Sequence, residues 1–286
     1  MKKITKTTTK KGTNKTTMMR RILFIAILFL AGMGHSFADS IPTAHMPESY
    51  NYDKLMEYVS SDMPDGVDTC YVQHFLQNID RKIARHDFRE RLKADFLTEV
   101  INDCISEDPK RYIEMVDADI TTDSLRDKLS NAYNRTAKKY GVIWAGKPAP
   151  DFTFTDTKGK VHSLKDFRGK YLFIDFWGTW CIPCLEEIPY MEKLEKAYKD
   201  SRVKIISIAC DKKRERWLNF LDKHKNMTWS QYLITPEGDN VLNNVYYVIG
   251  IPRFVLIAPD GKIINSDMLR PSDNDFNDCL ERAIKE

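Results

Sequence analysis

Two cysteines separated by two residues, Cys181 and Cys184, are the side chains in this sequence best suited to chemistry. Trp180 precedes the pair, and Ile182-Pro183 lies between its members. Thiols at this spacing can form a redox-active disulfide, a purely structural disulfide, or half of a zinc site. A zinc site usually needs a second pair of Cys or His ligands at matched spacing, and the sequence has no second CxxC. The pattern therefore favours a redox-active dithiol.

The elements predicted around the dithiol would hold Cys181 where a thiolate is favoured. Residues 171–177 form a nearly continuous apolar run, as in a buried strand. A helix is predicted to begin at or near Cys181, because apolar residues follow at helical spacing: Ile182, Leu185, Ile188, Met191, Leu194 and Tyr198. Unpaired N–H groups and the helix dipole stabilise negative charge there. Cys181 is accordingly the predicted nucleophile, on the exposed side of the motif, and Cys184 the resolving thiol about one turn deeper.

An acidic residue, Asp175, lies in the middle of the predicted buried strand. A buried acid is costly unless it is used or paired. Burial would raise its pKa toward a range suited to proton transfer. The alternative is that Asp175 has no catalytic role and that backbone donors or water supply its hydrogen bonds. A second acid, Glu187, lies near the start of the predicted helix, where it could instead complement the helix dipole.

The segment from Asp175 to Cys184 resembles the thioredoxin superfamily, and more narrowly the TlpA/ResA-like extracytoplasmic thiol–disulfide oxidoreductases. Four further features agree. Pro189 lies inside the active-site helix, and a Gly-Ile-Pro sequence at 250–252 precedes a strand. Asp260-Gly261 is a hairpin-turn signal, and residues 146–152 match the family's entry segment. The resemblance covers about residues 145–286. It implies an α/β fold of the thioredoxin type, with a central mixed sheet flanked by helices, preceded here by an all-helical domain.

The resemblance also implies what the acids and the dithiol do. The Cys181–Cys184 disulfide would be the redox centre, with no other cofactor and no metal. Asp175 matches the buried acid of thioredoxins, which assists deprotonation of the second cysteine. Glu187 matches a glutamate that ResA-like proteins use instead. The presence of both leaves the proton acceptor open.

A client-binding surface is implied as well. Pro252 matches the family's cis-proline, which would leave the backbone of Ile251 free to pair with an extended client peptide. Trp180 and the two residues between the cysteines, Ile182 and Pro183, would form the surface around the reactive thiol.

The first 38 residues have the layout of a secretory signal peptide: a basic region without acids up to Arg21, an apolar run over 22–30 and an A-x-A-like site ending at Ala38. This predicts export to the periplasm. The alternative is an uncleaved anchor in the inner membrane, although the apolar run is short for a span. Of 44 basic and 41 acidic residues, the leader contains eight basic ones, which leaves 36 against 41. Nothing in the remainder favours nucleic-acid binding.

Residues 39–144 read as a helical accessory domain, and residues 145–286 as the thioredoxin-like domain. Apolar residues recur at helical spacing in the first of these, but no chemical motif is present there. It is either a plain accessory domain or a docking domain that selects the redox client. A Cys70–Cys104 disulfide is possible, but spacing does not determine it.

Three functions are compatible with this sequence. The first is an exported reductase of client-protein disulfides, apocytochrome cysteines among them, supplied with electrons by a membrane thiol reductase. The second is a peroxiredoxin-like peroxidase, which shares the Pro150-Asp151-Phe152 entry but for which the expected peroxidatic cysteine pattern is absent. The third is a non-catalytic adaptor built on a redox fold.

Overall fold

The computed structural model describes residues 58–60, 71–199 and 201–285. The predicted signal peptide lies outside these residues. Cys70 does too, so the possible Cys70–Cys104 disulfide is not tested. Cys104 itself is buried in the core of the N-terminal helices. No helix in the described ranges is both long and apolar enough to cross a membrane.

The N-terminal part of the described chain is helical. Its helices are α1 (Tyr71–Lys82), α2 (His86–Asp103), α3 (Lys110–Glu114) and α4 (Asp123–Tyr140). α2 packs mainly along α4. Their apolar faces share one core, which contains Phe75, Ile79, Leu92, Phe96, Val100, Leu129 and Ala132. The apolar periodicity that predicted these helices therefore corresponds to one buried surface.

Two charged side chains of α2 are buried in this helical region, and both are paired. The ammonium of Lys93 lies 2.7 Å from a carboxylate oxygen of Asp80 and 2.6 Å from one of Asp119. The Glu90 carboxylate accepts hydrogen bonds from the backbone N–H groups of Thr121 and Thr122. A buried charge is tolerated when it is paired in this way, and these contacts fix the segment that leads into α4.

A seven-stranded mixed sheet organises the C-terminal part. Its strands are β1 (Thr153–Asp156), β2 (Val161–Ser163), β3 (Tyr171–Trp177), β4 (Val203–Ala209), β5 (Ser230–Ile234), β6 (Arg253–Ile257) and β7 (Ile263–Met268). The helices are α5 (Ile182–Tyr198), α6 (Arg214–Lys223), α7 (Pro236–Asn244) and α8 (Phe276–Lys285). Two short 3₁₀ turns lie at Gly141–Ile143 and Leu164–Phe167. This is the predicted thioredoxin-like architecture, a central mixed sheet flanked by helices.

The strand order is β2-β1-β5-β4-β3-β6-β7. β3 runs parallel to β4 and antiparallel to β6, and β4 is parallel to β5. Every residue of β3 is buried, because the sheet is covered on both faces. Side chains alternate along β3, so that Phe173 and Trp177 enter one core and Leu172, Ile174 and Phe176 the other. The first of these is called the α5 core below, since it also contains Cys184, Ile188, Met191 and Leu194 of α5.

The helical part contacts the sheet through a few specific groups. The N–H of Ala145 donates to the carbonyl oxygen of Ser106 at 2.8 Å. The ring of Tyr140, at the end of α4, meets the ring of Tyr247 edge-on, with centroids 5.1 Å apart. Tyr247 lies in the segment between α7 and β6, which also contains the Gly-Ile-Pro sequence. The helical part therefore contacts the segment that contains the Gly-Ile-Pro sequence.

Candidate active site

The dithiol is present as a disulfide, Cys181–Cys184, with an S–S distance of 2.03 Å and a Cα–Cα distance of 5.2 Å. Cys181 is the N-cap of α5, and its Sγ accepts a hydrogen bond from the Cys184 N–H at 3.3 Å. Pro183 lies in the first turn, where N–H groups have no partner within the helix, so a proline costs nothing there. The predicted helix start is confirmed, and it places Cys181 where an anion is stabilised.

The prediction that Cys181 lies on the exposed side of the motif is wrong for this disulfide form. Cys181 is only 5% exposed, close to the 3% of Cys184. Its neighbours reach the solvent instead, with Trp180 55% and Ile182 71% exposed. The sulfur atom of Cys181 is therefore covered, and the residues before and after it in the sequence are apolar and exposed.

The Ile251–Pro252 peptide bond is cis, as predicted. The carbonyl oxygen of Ile251 lies 3.5 Å from Cys181 Sγ, so this loop faces the dithiol. Ile249, earlier in the same segment, is 92% exposed. The structure thus places the backbone of Ile251 beside Cys181.

Gly178 allows the active-site loop to pack closely. A Cβ atom at this position would lie 2.9 Å from Nε1 of Trp180 and 3.3 Å from Cδ1 of Ile251. Contacts below 3.0 Å force a neighbour to move, and here that neighbour is the exposed indole beside Cys181. The absent side chain is what lets the Trp180 ring rest against the loop backbone.

A buried carboxylate that the sequence did not point to holds the same loop. Asp211 follows β4 and accepts two hydrogen bonds from Thr179, one from the backbone N–H at 2.9 Å and one from Oγ1 at 2.5 Å. Both residues are buried. Because Thr179 precedes Trp180 and Cys181 directly, Asp211 fixes the approach of the chain to the N-cap of α5.

Asp175 is buried on the α5 face of the sheet, as shown by its alternation with Phe173 and Trp177. Its Oδ2 accepts a hydrogen bond from Ser207 Oγ at 2.7 Å, and Ser207 Oγ in turn accepts one from Nε1 of Trp229 at 2.7 Å. Burial raises the pKa of Asp175 to about 7; the Ser207 hydrogen bond opposes this rise, and the charge of Glu187 adds to it. Asp175 is therefore poised to gain or lose a proton near neutral pH.

Glu187 is buried as well but is held differently. Ser272 donates to both of its oxygens, from the backbone N–H to Oε2 at 3.1 Å and from Oγ to Oε1 at 2.6 Å. Burial raises the pKa of Glu187, and the two Ser272 hydrogen bonds work against that rise. The carboxylate ties α5 to the turn that precedes α8, a contact that the sequence did not predict.

The three other described cysteines, Cys104, Cys210 and Cys279, are free thiols. Burial raises the pKa of Cys210 to about 12, and it also raises the pKa of Cys104 and of Cys279. At neutral pH such thiols contain little thiolate, the reactive form. In the part of the chain that the structure describes, no group of three or more His, Cys, Asp or Glu side chains is placed to bind a metal ion.

Sequence comparisons agree with this site. The AhpC/TSA family matches residues 145–266. The thiol–disulfide oxidoreductase ResA of Bacillus subtilis is 33% identical over 132 residues, which cover 44% of this chain and 72% of that protein. ResA of Geobacillus kaustophilus is 38% identical over 122 residues, or 43% of this chain and 68% of that protein. The chain belongs to the ResA family of thiol–disulfide oxidoreductases.

The ResA relationship has a defined extent. ResA of Bacillus thuringiensis is 40% identical over 119 residues, and this match spans 66% of that protein and 42% of this chain. Among solved structures, the thioredoxin domain of a thiol–disulfide oxidoreductase from Bacteroides vulgatus is 33% identical, with a TM-score of 0.44, over 48% of this chain and 96% of that one. The resemblance found in the sequence is confirmed at the level of the family. The AhpC/TSA match begins at residue 145, so it does not include the helical part.

Proposed function

We propose that this protein is an exported thiol–disulfide oxidoreductase that reduces disulfides of extracytoplasmic client proteins through Cys181 and Cys184. The observation that carries the proposal is the position of Cys181, at the N-cap of α5 and 3.5 Å from the carbonyl oxygen that precedes the cis-proline. A nucleophile in that position has a helix N-terminus to stabilise its thiolate and a backbone edge beside it for a client chain.

The proposed reaction begins with the reduced protein. The Cys181 thiolate attacks one sulfur of the client disulfide, forms a mixed disulfide and releases the other client sulfur as a thiolate, which takes up a proton. Cys184 then loses its proton, and its thiolate attacks Cys181 Sγ and releases the second client sulfur as a thiolate, which also takes up a proton. Two electrons pass to the client, and the protein is left with the Cys181–Cys184 disulfide.

Asp175 is the proposed acceptor of the Cys184 proton. Glu187 has a donor from Ser272 on each of its oxygens, whereas the one hydrogen bond to Asp175 from a described residue reaches Oδ2 and comes from Ser207. A pKa of Asp175 of about 7 also matches proton exchange near neutral pH. Glu187 is then a structural carboxylate that keeps α5 and the turn before α8 together.

The client is proposed to bind in an extended conformation across the exposed apolar residues beside the disulfide. Ile251 would offer its backbone, and Trp180, Ile182 and Pro183 would contact apolar client side chains. Ile249, which is fully accessible, extends this surface. Exposed apolar residues of this kind suit partly unfolded clients, whose apolar side chains are accessible.

The proposed location and partners rest on the sequence. The signal-like leader supports a periplasmic location, or an inner-membrane anchor if it is not removed. An exported reductant meets an oxidising compartment, so a membrane thiol reductase is the proposed electron donor. Clients are proteins with disulfides, and apocytochrome cysteines would place the protein in cytochrome c biogenesis.

Reduction of insulin by the dithiothreitol-recycled protein tests the proposal, with Cys181→Ser and Cys184→Ser as the inactive variants. We expect both substitutions to abolish turnover, and Cys181→Ser alone to prevent a mixed disulfide from forming. Peroxide turnover without insulin reduction would instead support a peroxidase, and inactivity in both assays an adaptor. A reduction potential near about −120 mV, typical of strong oxidants, would contradict the proposed direction of electron flow.

A further inference from the structure

Three buried side chains, Trp229, Ser207 and Asp175, form a hydrogen-bonded series in the sheet domain. Nε1 of Trp229 donates to Ser207 Oγ at 2.7 Å, and Ser207 Oγ donates to Asp175 Oδ2 at 2.7 Å. Ser207 is fully buried, and Trp229 and Asp175 nearly so. β3 and β4 are parallel neighbours in register at Asp175 and Ser207, so the sheet itself sets the contact between the hydroxyl and the carboxylate.

Chemistry fixes the direction of the bond from Trp229, and that of the bond to Asp175 when this carboxyl group is ionised. An indole N–H can only donate, so Ser207 Oγ must accept the bond from Trp229. A serine hydroxyl has one proton, and with Trp229 on its acceptor side that proton remains for Asp175. A donor aimed at a carboxylate stabilises its ionised form, which is the form that can accept a proton.

The other titratable groups that act on Asp175 come from two elements. Glu187 is on α5, and Cys210 follows β4. The neighbouring residue on β6 is the apolar Phe254. Ser207 is therefore the hydrogen-bond donor that opposes the effect of burial on Asp175 among the described residues.

We propose that Ser207, oriented by Trp229, is a positioning residue that keeps Asp175 able to accept the proton of Cys184. The inference rests on the proposed function, because it assigns a role within that reaction. It adds two residues that lie outside the CxxC motif, the cis-proline loop and the two acids.

Some buried polar side chains of the sheet domain have no hydrogen-bond partner among the described residues. The Nε1 atoms of Trp177 and Trp217 and the Oγ atom of Ser266 are buried and have no hydrogen-bond partner among the residues that the structure describes. Trp177 and Trp217 belong to the same α5 core as Trp229.

The unpaired groups supply matched controls. Ser207→Ala removes the donor to Asp175, and Ser266→Ala removes an equally buried hydroxyl that has no partner. Trp229→Phe removes the indole that orients Ser207, and Trp217→Phe removes an indole N–H of the same core that has none. Each pair makes the same chemical change, so a difference within a pair reports the hydrogen bond.

The first readout is the pKa of Asp175 in the oxidised protein, where neither Cys181 nor Cys184 titrates. Carboxyl ¹³C NMR follows the titration, and the spectrum of Asp175→Asn assigns the signal. We expect Ser207→Ala to raise the pKa of Asp175 by about one to two pH units, Trp229→Phe to raise it by less, and both controls to leave it unchanged. A Ser207→Ala value equal to wild type would overturn the inference.

The second readout is the pH dependence of mixed-disulfide resolution, measured by stopped flow with a disulfide peptide. We expect its acid limb to move to higher pH in Ser207→Ala by the same interval as the pKa of Asp175. If the pKa of Asp175 rises in Ser207→Ala but the acid limb stays at its wild-type pH, Asp175 is not the proton acceptor. Wild-type inactivity in insulin reduction would refute the proposed function but not the titration result. Should Ser207→Ala fail to fold, the Trp229→Phe and Trp217→Phe pair decides the question by both readouts.

Discussion

At the level of single residues, the two buried acids near the dithiol differ in how they are held. Glu187 is bound on both oxygens by Ser272, which favours its charged form and joins two elements. Asp175 has a single described donor, Ser207, on one oxygen, and burial dominates its pKa. Burial thus raises the pKa of both carboxyl groups, and the two acids differ in the hydrogen bonds that oppose the rise.

The raised pKa of Asp175 predicts how stability depends on pH. The folded-state pKa of about 7 lies above the unfolded value of 3.8, so the folded protein binds the proton more tightly. This group's contribution to the free energy of unfolding is therefore greatest below pH 4, falls as the pH rises toward 7 and is constant above that. Asp175→Asn removes the penalty for the buried charge, so we expect it to be more stable than wild type at pH 8, on the order of a few kcal/mol.

Urea unfolding of the oxidised protein at pH 5 and pH 8 measures this effect. The stability difference between Asp175→Asn and wild type should shrink at the lower pH, where the wild-type carboxyl is protonated. Asp117→Asn, at an exposed position, is the control and should leave the stability nearly unchanged at both values. An equal difference at pH 5 and pH 8 would contradict the assigned pKa.

The sequence predicted the residues of the active site that are close together along the chain. Cys181, Cys184 and Asp175 lie within one strand–helix unit and could be related by their spacing, whereas Ile251 and Pro252 were predicted only through the family resemblance. Ser207 and Asp211 are each 32 residues from their partners, Asp175 and Thr179. Their contacts depend on which strands pair, and a serine or an aspartate carries no signal of a distant partner in a single sequence.

At the level of elements, β3 was predicted from a nearly continuous apolar run, because a strand covered on both faces has no polar alternation. α5 followed from its apolar spacing. β5 and α7 were not assigned. β5 contains Gln231, a buried amide, which interrupts the apolar signal. α7 has two buried residues, Gly238 and Leu242, too few to show helical periodicity clearly.

The loop between β3 and α5 depends on Asp211, which follows β4. Asp211→Ala would remove both acceptors of Thr179 and leave its N–H buried without a partner. We expect a loss of about 1–3 kcal/mol of stability and slower insulin reduction, because Cys181 would no longer be held at the N-cap. Thermal unfolding and the reduction assay measure the two effects.

Thr179→Val provides the graded comparison for the loop. It removes only the Oγ1 hydrogen bond and retains the one from the backbone N–H. Its effects should be in the same direction and smaller. If Asp211→Ala lowered stability but left insulin reduction unchanged, Asp211 would support the fold without positioning Cys181.

At the level of the whole molecule, the helical part and the cis-proline segment meet at an aromatic contact. The rings of Tyr140 and Tyr247 are 5.1 Å apart edge-on, and the ammonium of Lys139 lies 4.7 Å from the first ring and 5.5 Å from the second. Tyr247 has a positive φ of 51°, which is uncommon for a residue with a side chain. The contact with α4 thus involves Tyr247, a residue in a less favoured conformation that lies shortly before the loop that faces the disulfide.

Removal of this contact should loosen the segment that carries the cis-proline. An aromatic pair contributes about 0.5–1.5 kcal/mol, so Tyr140→Ala should speed amide hydrogen exchange over residues 245–251 by about two- to tenfold. Tyr133→Ala is the control on the same helix, because Tyr133 packs against Trp144 instead. Hydrogen exchange read by mass spectrometry resolves both segments. Equal exchange over 245–251 in the two variants would mean that α4 does not restrain this loop, and the helical part would then have no physical route to the site through Tyr247.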